Sequence, residues 1–216
     1  MWSATRLTAS TFGLLAGLGG LRHGIGEVQQ GNVRPDGLFI ESWTSGPIAE
    51  HMDGEPGLTI VPNMVATGVL ALIASVAVVV WAAWFVQRRH GGLTLTAFSV
   101  VMLLVGGGVG PPVVGMLAGW PGHATGTPER AWPARLPASM RRALASSWPL
   151  VFALAAANGL FLFVISLALL FWFDVTNADL FLWSFYLSVV LLVAASMGAI
   201  ARDAAGRSLV VSGEVR

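Results

Sequence analysis

The sequence predicts an all-α, polytopic membrane protein with five apolar helical segments, the third of them broken. Three observations lead there. Of 216 residues, 55% are hydrophobic and 11% charged, with a mean hydropathy of +0.73; soluble domains carry roughly 25% charged residues. Windows 56–87, 91–122, 143–173 and 180–201 contain no Asp, Glu, Lys or Arg. Each exceeds the roughly 20 residues that cross a hydrocarbon core of about 30 Å. Within the second of these windows stands "VGGGVGPPVVG" at 105–115, which no straight helix favours.

The first segment begins with the apolar run 7–21, only fifteen residues long. At about 1.5 Å per residue it covers roughly 22 Å, so Arg22 must snorkel or the helix must continue towards Val28. A cleaved signal peptide is the rival, because Arg6 precedes an apolar run. No small-x-small cleavage site follows, and the segment is read as a retained helix. Ala9, Gly13 and Gly17 lie four apart on it, with Ala16, Gly20 and Gly24 in a neighbouring row. Such rows let helices approach closely.

The predicted segments run about 7–26, 58–87, 93–120, 148–173 and 179–201 in a single membrane domain. Trp81, Trp84, Trp120, Trp148, Trp172 and Trp183 stand near their ends, where indoles favour the headgroup boundary. The loop 22–58 is acidic, with six carboxylates against two Arg. The loop 121–147 is basic and Pro-rich, and the tail is 202–216. In the basic loop, Leu136, Met140, Leu144 and Trp148 form a stripe beside Arg141 and Arg142, suited to contact with anionic lipid. No internal repeat is visible, so inverted symmetry would require a homo-oligomer or another membrane partner.

Sidedness follows from the twelve basic residues, all Arg. Five spans with the N-terminus inside leave nine Arg external, which excludes that threading. Five spans with the N-terminus outside place nine inside and three outside. If the window at 91–122 re-enters and returns, an internal N-terminus places ten inside and leaves Arg22 and Arg34 external. The last two threadings stay open. Both make 121–147 cytoplasmic, in a multi-pass protein of the cell membrane.

Polar positions inside the apolar segments suggest a solute path. Non-helical backbone at membrane depth needs protein or a water-filled cavity over it, so Gly108, Gly110 and Pro111 are candidates to line one. Asn63 lies shallowly and Asn158 deeply; Ser184 and Ser188 are within reach of Asn158 if their helices pack. A second cluster is "GGLRHGIGEVQQG" at 19–31. If the first helix continues, His23, Glu27 and Gln30 share a face, and His51 in the acidic loop offers a third donor for a metal. The blander reading is a solvated pair at the interface, since the His-Glu-x-x-His zinc pattern is absent.

Composition excludes other chemistry. The chain has no Cys, which rules out disulfides and thiolates, and no basic cluster is interleaved with aromatics as a nucleic-acid surface needs. It has no nucleophile elbow and no phosphate loop, and the cofactor, if any, is left unknown. The stretches "HGIGEVQQGN", "TIVPN", "FVQRRHGG" and "VGGGVGPP" resemble an uncharacterised group of prokaryotic integral membrane proteins. The resemblance covers roughly residues 10–120, leaves out the last two helices and implies no activity. The expected function is a small permease, a channel-like protein or an accessory subunit. A membrane-embedded metalloenzyme using His23, Glu27 and His51 is the alternative.

Overall fold

The computed structural model describes residues 3–51, 54–125, 136–173 and 177–211. Parts of the basic loop, the link near 174–179 and the tail therefore lie outside the described residues. Seven helices hold most of the described chain. They are α1 (Ala4–Gln29), α2 (Pro47–His51), α3 (Met64–Phe85), α4 (Gly91–Leu104), α5 (Gly110–Ala124), α6 (Ala138–Phe173) and α7 (Ala178–Val211). A two-stranded ribbon, β1 (Phe39–Glu41) against β2 (Pro56–Leu58), lies in the loop after α1. Phe39 faces Leu58 and Glu41 faces Pro56.

By length and composition, α3, α6 and residues Asp179–Arg207 of α7 are apolar enough to cross a membrane. Of the five segments expected, three have this length and apolarity among the described residues, and α4 is a shorter apolar helix. α1 is long enough but rich in Gly, Ala and Thr, and it sits at the centre of the bundle against α3, α5, α6 and α7. Protein covers most of it, so it does not need a lipid-facing apolar surface. α3 ends in a π-helical turn, Trp81–Phe85, whereas α6 passes through one at Phe161–Ile165 and continues.

The small-residue rows of α1 acquire partners. A Cβ added at Gly13 would lie 2.6 Å from Ala82, and one at Gly17 would lie 2.9 Å from the Ser75 carbonyl. Gly24 and Gly68 meet backbone to backbone: a Cβ on Gly68 would stand 2.6 Å from the Gly24 carbonyl. The face Gly13, Gly17, Gly20 and Gly24 is thus the seat of α3, which runs antiparallel to α1.

The window 91–122 is two helices, not one kinked span. Gly92 near the start of α4 abuts Gly119 and His123 at the end of α5, and Thr96 Oγ1 donates to the Met116 carbonyl at 3.4 Å. α4 and α5 form an antiparallel hairpin with its tip at residues 105–109. With 14 and 15 residues, each rod is roughly 21–23 Å long. Pro111 and Pro112 fall in the first turn of α5, where the missing N–H has no intrahelical partner to lose. Gly106 and Gly108 take φ of +98° and +77°, left-handed geometry that reverses the chain and suits glycine.

Met140, Leu144 and Trp148 of the stripe lie in the first part of α6, which starts at Ala138, and Leu136 precedes it. Met140 is exposed, whereas Trp148 is buried against Phe152 at 5.3 Å. Asn158 joins α6 to α7, donating to the Ser184 carbonyl at 2.9 Å and to Ser188 Oγ at 2.7 Å.

Backbone contact at Gly68 leaves little room for a methyl group. Gly68→Ala should destabilise the protein by about 1–3 kcal/mol, read as a lower Tm in detergent. Gly37 has nothing within 4 Å, and Gly37→Ala should stay within about 0.5 kcal/mol of wild type.

Candidate functional site

The last two turns of α1 present Arg22, His23 and Glu27 to the loop that follows. Their partners come from that loop. Ser42 follows β1, and Glu55 immediately precedes β2. Ser42 Oγ donates to Glu27 Oε1 at 3.1 Å. With the hydroxyl proton so directed, His23 donates from Nδ1 to Ser42 Oγ at 2.8 Å. Gln30, the C-cap of α1, donates to the carbonyls of Glu41 and Ser42 at 2.8 and 3.0 Å. The face His23, Glu27 and Gln30 is therefore the surface on which the 39–42 segment docks.

Glu55 reaches the same place from the other strand. Its carboxylate forms an ion pair with Arg22, and its Oε2 lies 3.7 Å from His23 Nε2. Glu55 holds a φ of +54° directly before Pro56, an unfavourable conformation for a residue with a Cβ. The charge pair and the ribbon hold it there. Burial pushes the Glu55 carboxyl above the usual carboxylate range, and the Arg22 guanidinium pulls it back part of the way.

The hairpin tip closes over this cluster. A Cβ at Gly106 would collide with Glu27 Oε2 and Thr67, and one at Gly108 would collide with the His23 ring. Glycine is required there both by φ and by the approach of the side chains. Thr59 bridges to Val105, and the Ile60 N–H donates to the Leu104 carbonyl at 3.0 Å. His23, Glu27, Ser42 and Glu55 are all buried, so the reading of a solvated interfacial pair is overturned. Glu27 Oε2 and Glu55 Oε2, with Nε and one terminal nitrogen of Arg22, are buried without a hydrogen-bond partner. Such groups are costly unless something satisfies them.

A groove of about 720 Å³ opens beside the cluster. Arg22, His23 and Glu55 form its inner end, Gly110 and Pro111 one wall, and Phe163, Phe181 and Phe185 the apolar side. Glu50 of α2 and Asp179 at the start of α7 also line it.

The sequence-derived candidates separate into groups. Gly108 meets the His23 ring at the tip, and Gly110 and Pro111 line the groove together with His23, while Glu27 meets Gly106 instead. Asn63 caps α3, its Oδ1 accepting from the Ala66 N–H at 3.0 Å, and its amide pairs with Asn32. Asn158 lies away from the groove lining, between α6 and α7. His51 ends α2, but its side chain lies outside the described residues. Among the described residues no three His, Asp or Glu side chains are arranged to hold a metal. Arg22, Ser42 and Glu55 are the members that sequence reading missed. The signals for them were an Arg beside the His-Glu face and an acidic loop with carboxylates in excess. Compared with known families, curated proteins and solved structures, the chain matches none.

Removing the Ser42 hydroxyl orphans Glu27 Oε1. Ser42→Ala should cost about 1–3 kcal/mol, whereas Ser45→Ala on the exposed loop should leave Tm unchanged within error. The pH dependence of Glu55 has a definite sign. Its folded-state pKa is raised, so its contribution to stability is complete below the ordinary carboxylate range and declines as pH rises. Glu55→Gln cannot ionise. As pH rises above the ordinary carboxylate range, the wild type should lose Tm relative to Glu55→Gln.

Proposed function

We propose that the chain is a multi-pass integral membrane protein that acts without covalent chemistry, as a small permease or accessory subunit receiving a solute at the hairpin tip. The observation carrying this reading is the tip at 105–109, where glycine backbone covers a buried Arg-His-Glu cluster at the inner end of an open groove. Polar groups inside a mostly apolar protein mark ligand or ion paths more often than they stabilise it.

In this reading α1, α3, α6 and α7 cross the bilayer, and α4–α5 re-enters from the side it returns to. The two ends of the bundle differ in charge accordingly. Arg6, Arg88, Arg89, Arg141, Arg142, Arg202 and Arg207 belong to the end with the start of α1, and Arg22 and Arg34 to the groove end. The positive-inside bias makes the first end cytoplasmic and opens the groove to the outside. Arg141 and Arg142 are then at the inner leaflet, where anionic lipid is the expected contact. Beneath the groove the helices meet through Gly17, Gly20, Gly24 and Gly115, so this is a closed state, with the solute site accessible from the outer face.

The chain lacks Cys, so single substitutions report sidedness directly. Ser45→Cys should react with a membrane-impermeant maleimide in intact cells, and Ser139→Cys only after permeabilisation. Protection of Ser45→Cys would restore five full spans with an external N-terminus. Gly110→Trp, which fills the groove against Phe185, should abolish solute binding or uptake, while Gly37→Trp should not.

A further inference from the structure

The Arg-rich end of the bundle holds a second concavity, between the start of α6 and the end of α7. We infer that it is a phosphate site, filled by the headgroup of an anionic lipid of the inner leaflet and held by Arg142 and Arg202. This inference rests on α6 and α7 crossing the bilayer, and not on a solute at the hairpin tip.

Packing explains why space is left there. α6 and α7 touch closely at Gly198, where a Cβ would lie 3.0 Å from the Leu144 carbonyl and 3.1 Å from Trp148 Cβ. Towards the helix ends a cleft of about 1350 Å³ opens between residues 139–146 of α6 and 202–207 of α7. Ser139, Arg142 and Ser146 line it from successive turns of α6, and Arg202 faces them from α7.

Charge decides what the cleft takes. Among the described residues, neither Arg142 nor Arg202 has an ion pair. Arg202 spends one terminal nitrogen on the Ala145 carbonyl at 3.3 Å and lies over the Trp148 ring at 5.3 Å. Both partners are neutral, so the guanidinium is held in place while its charge stays uncompensated. Asp203 also lines the cleft, but its carboxylate is turned to α1. Its Oδ1 accepts from the Ala4 N–H, and its Oδ2 accepts from the Thr5 N–H and hydroxyl. Arg142 and Arg202 alone outnumber it, so the balance does not depend on Arg207, which has an interaction of its own.

The planar fork of Arg matches the oxygens of a phosphate, and a fork already held in place loses less freedom on binding. Basic pockets between membrane helices on the cytoplasmic side are suited to phosphate headgroups. An apolar track then separates a lipid from a soluble phosphate. Leu150 and Leu154 follow Ser146 at four-residue spacing on one face of α6, and they are 66% and 52% exposed. A headgroup seated between Arg142 and Arg202 lays an acyl chain along them. A soluble phosphate would leave that track unused.

The test titrates the full chain, in uncharged detergent, with dioctanoylphosphatidylglycerol, dioctanoylphosphatidylcholine or inorganic phosphate, and counts bound molecules by native mass spectrometry. The first phosphatidylglycerol should bind saturably, at least about tenfold tighter than phosphatidylcholine or inorganic phosphate. Arg142→Gln should weaken it severalfold. Arg141→Gln removes the same charge from the neighbouring position, outside the cleft lining, and should leave binding unchanged. Both variants should keep the wild-type Tm. Equal binding of the two lipids, or equal weakening by the two substitutions, would reduce the cleft to general surface attraction and overturn the site. Inorganic phosphate binding as tightly as phosphatidylglycerol would overturn the lipid assignment and give the cleft to a soluble phosphate compound. Neither result bears on the groove at the other end of the bundle, whose own test is Gly110→Trp.

Discussion

The fold depends on how closely α1 approaches its neighbours. Where Gly24 and Gly68 meet, backbone touches backbone, and the same face of α1 receives Ala82, Ser75 and Met102 along its length. A second face takes α5, with Gly19 against Pro111 and Ala16 near Gly115. In a bilayer, hydrophobic transfer does little to bring helices together, since lipid is as apolar as Leu; dispersion contacts over closely matched surfaces must do it. Small residues supply those surfaces. They also lower the apolar content of α1, which is therefore absent from the rods that read as membrane-crossing.

Close packing of α1 makes the break in the α4–α5 hairpin affordable in one place only. A turn with two glycines at positive φ leaves backbone polar groups outside any helix, and at membrane depth these need protein over them. The tip lies where α1 ends and the 39–60 segment folds back, so Thr59, Ile60, His23 and Glu27 meet it. The same folding buries an ion pair. Desolvating two charges costs several kcal/mol per ion, and their attraction recovers this only with good geometry and satisfied remaining atoms. Here two carboxylate oxygens and two Arg22 nitrogens stay without partners. A site arranged for stability alone would use apolar side chains in that volume, which supports the binding role proposed above.

Sequence made some of this legible and physics explains the remainder. The rods at 64–85, 138–173 and 178–211 are apolar over whole turns, and their signal is local. The break at 105–109 was equally local, since three consecutive glycines disfavour a helix and two prolines fit only the first turn of the next one. Its consequence was not. Whether the chain reverses or continues depends on Gly92 reaching Gly119 and His123, a contact across nearly thirty residues (119 minus 92 is 27). The His23, Glu27 and Gln30 face followed from helical periodicity, while Ser42 and Glu55 came from a loop with no period to read. Burial of that face was misjudged for the same reason, because a run of acidic and turn-forming residues looks solvated until its strands pair.

The two ends of the bundle are held differently, and this bears on how the site would work. At the Arg-rich end Asp203 of α7 accepts from the Ala4 and Thr5 N–H groups at 2.8 and 2.9 Å and from Thr5 Oγ1 at 2.7 Å. A carboxylate there satisfies orphan donors of the first turn and complements the positive end of the helix dipole. Thr125 Oγ1 adds a bond to Thr5 at 3.2 Å, and Arg202 stacks over Trp148 at 5.3 Å while bonding the Ala145 carbonyl. Ends of α1, α5, α6 and α7 are thereby tied together. At the groove end α7 meets the cluster across open space, and the cap over α1 is a three-residue ribbon with a five-residue helix. In the proposed reading, an opening that admits a solute costs least at the groove, where Phe185 of α7 lies against Gly110 of the hairpin.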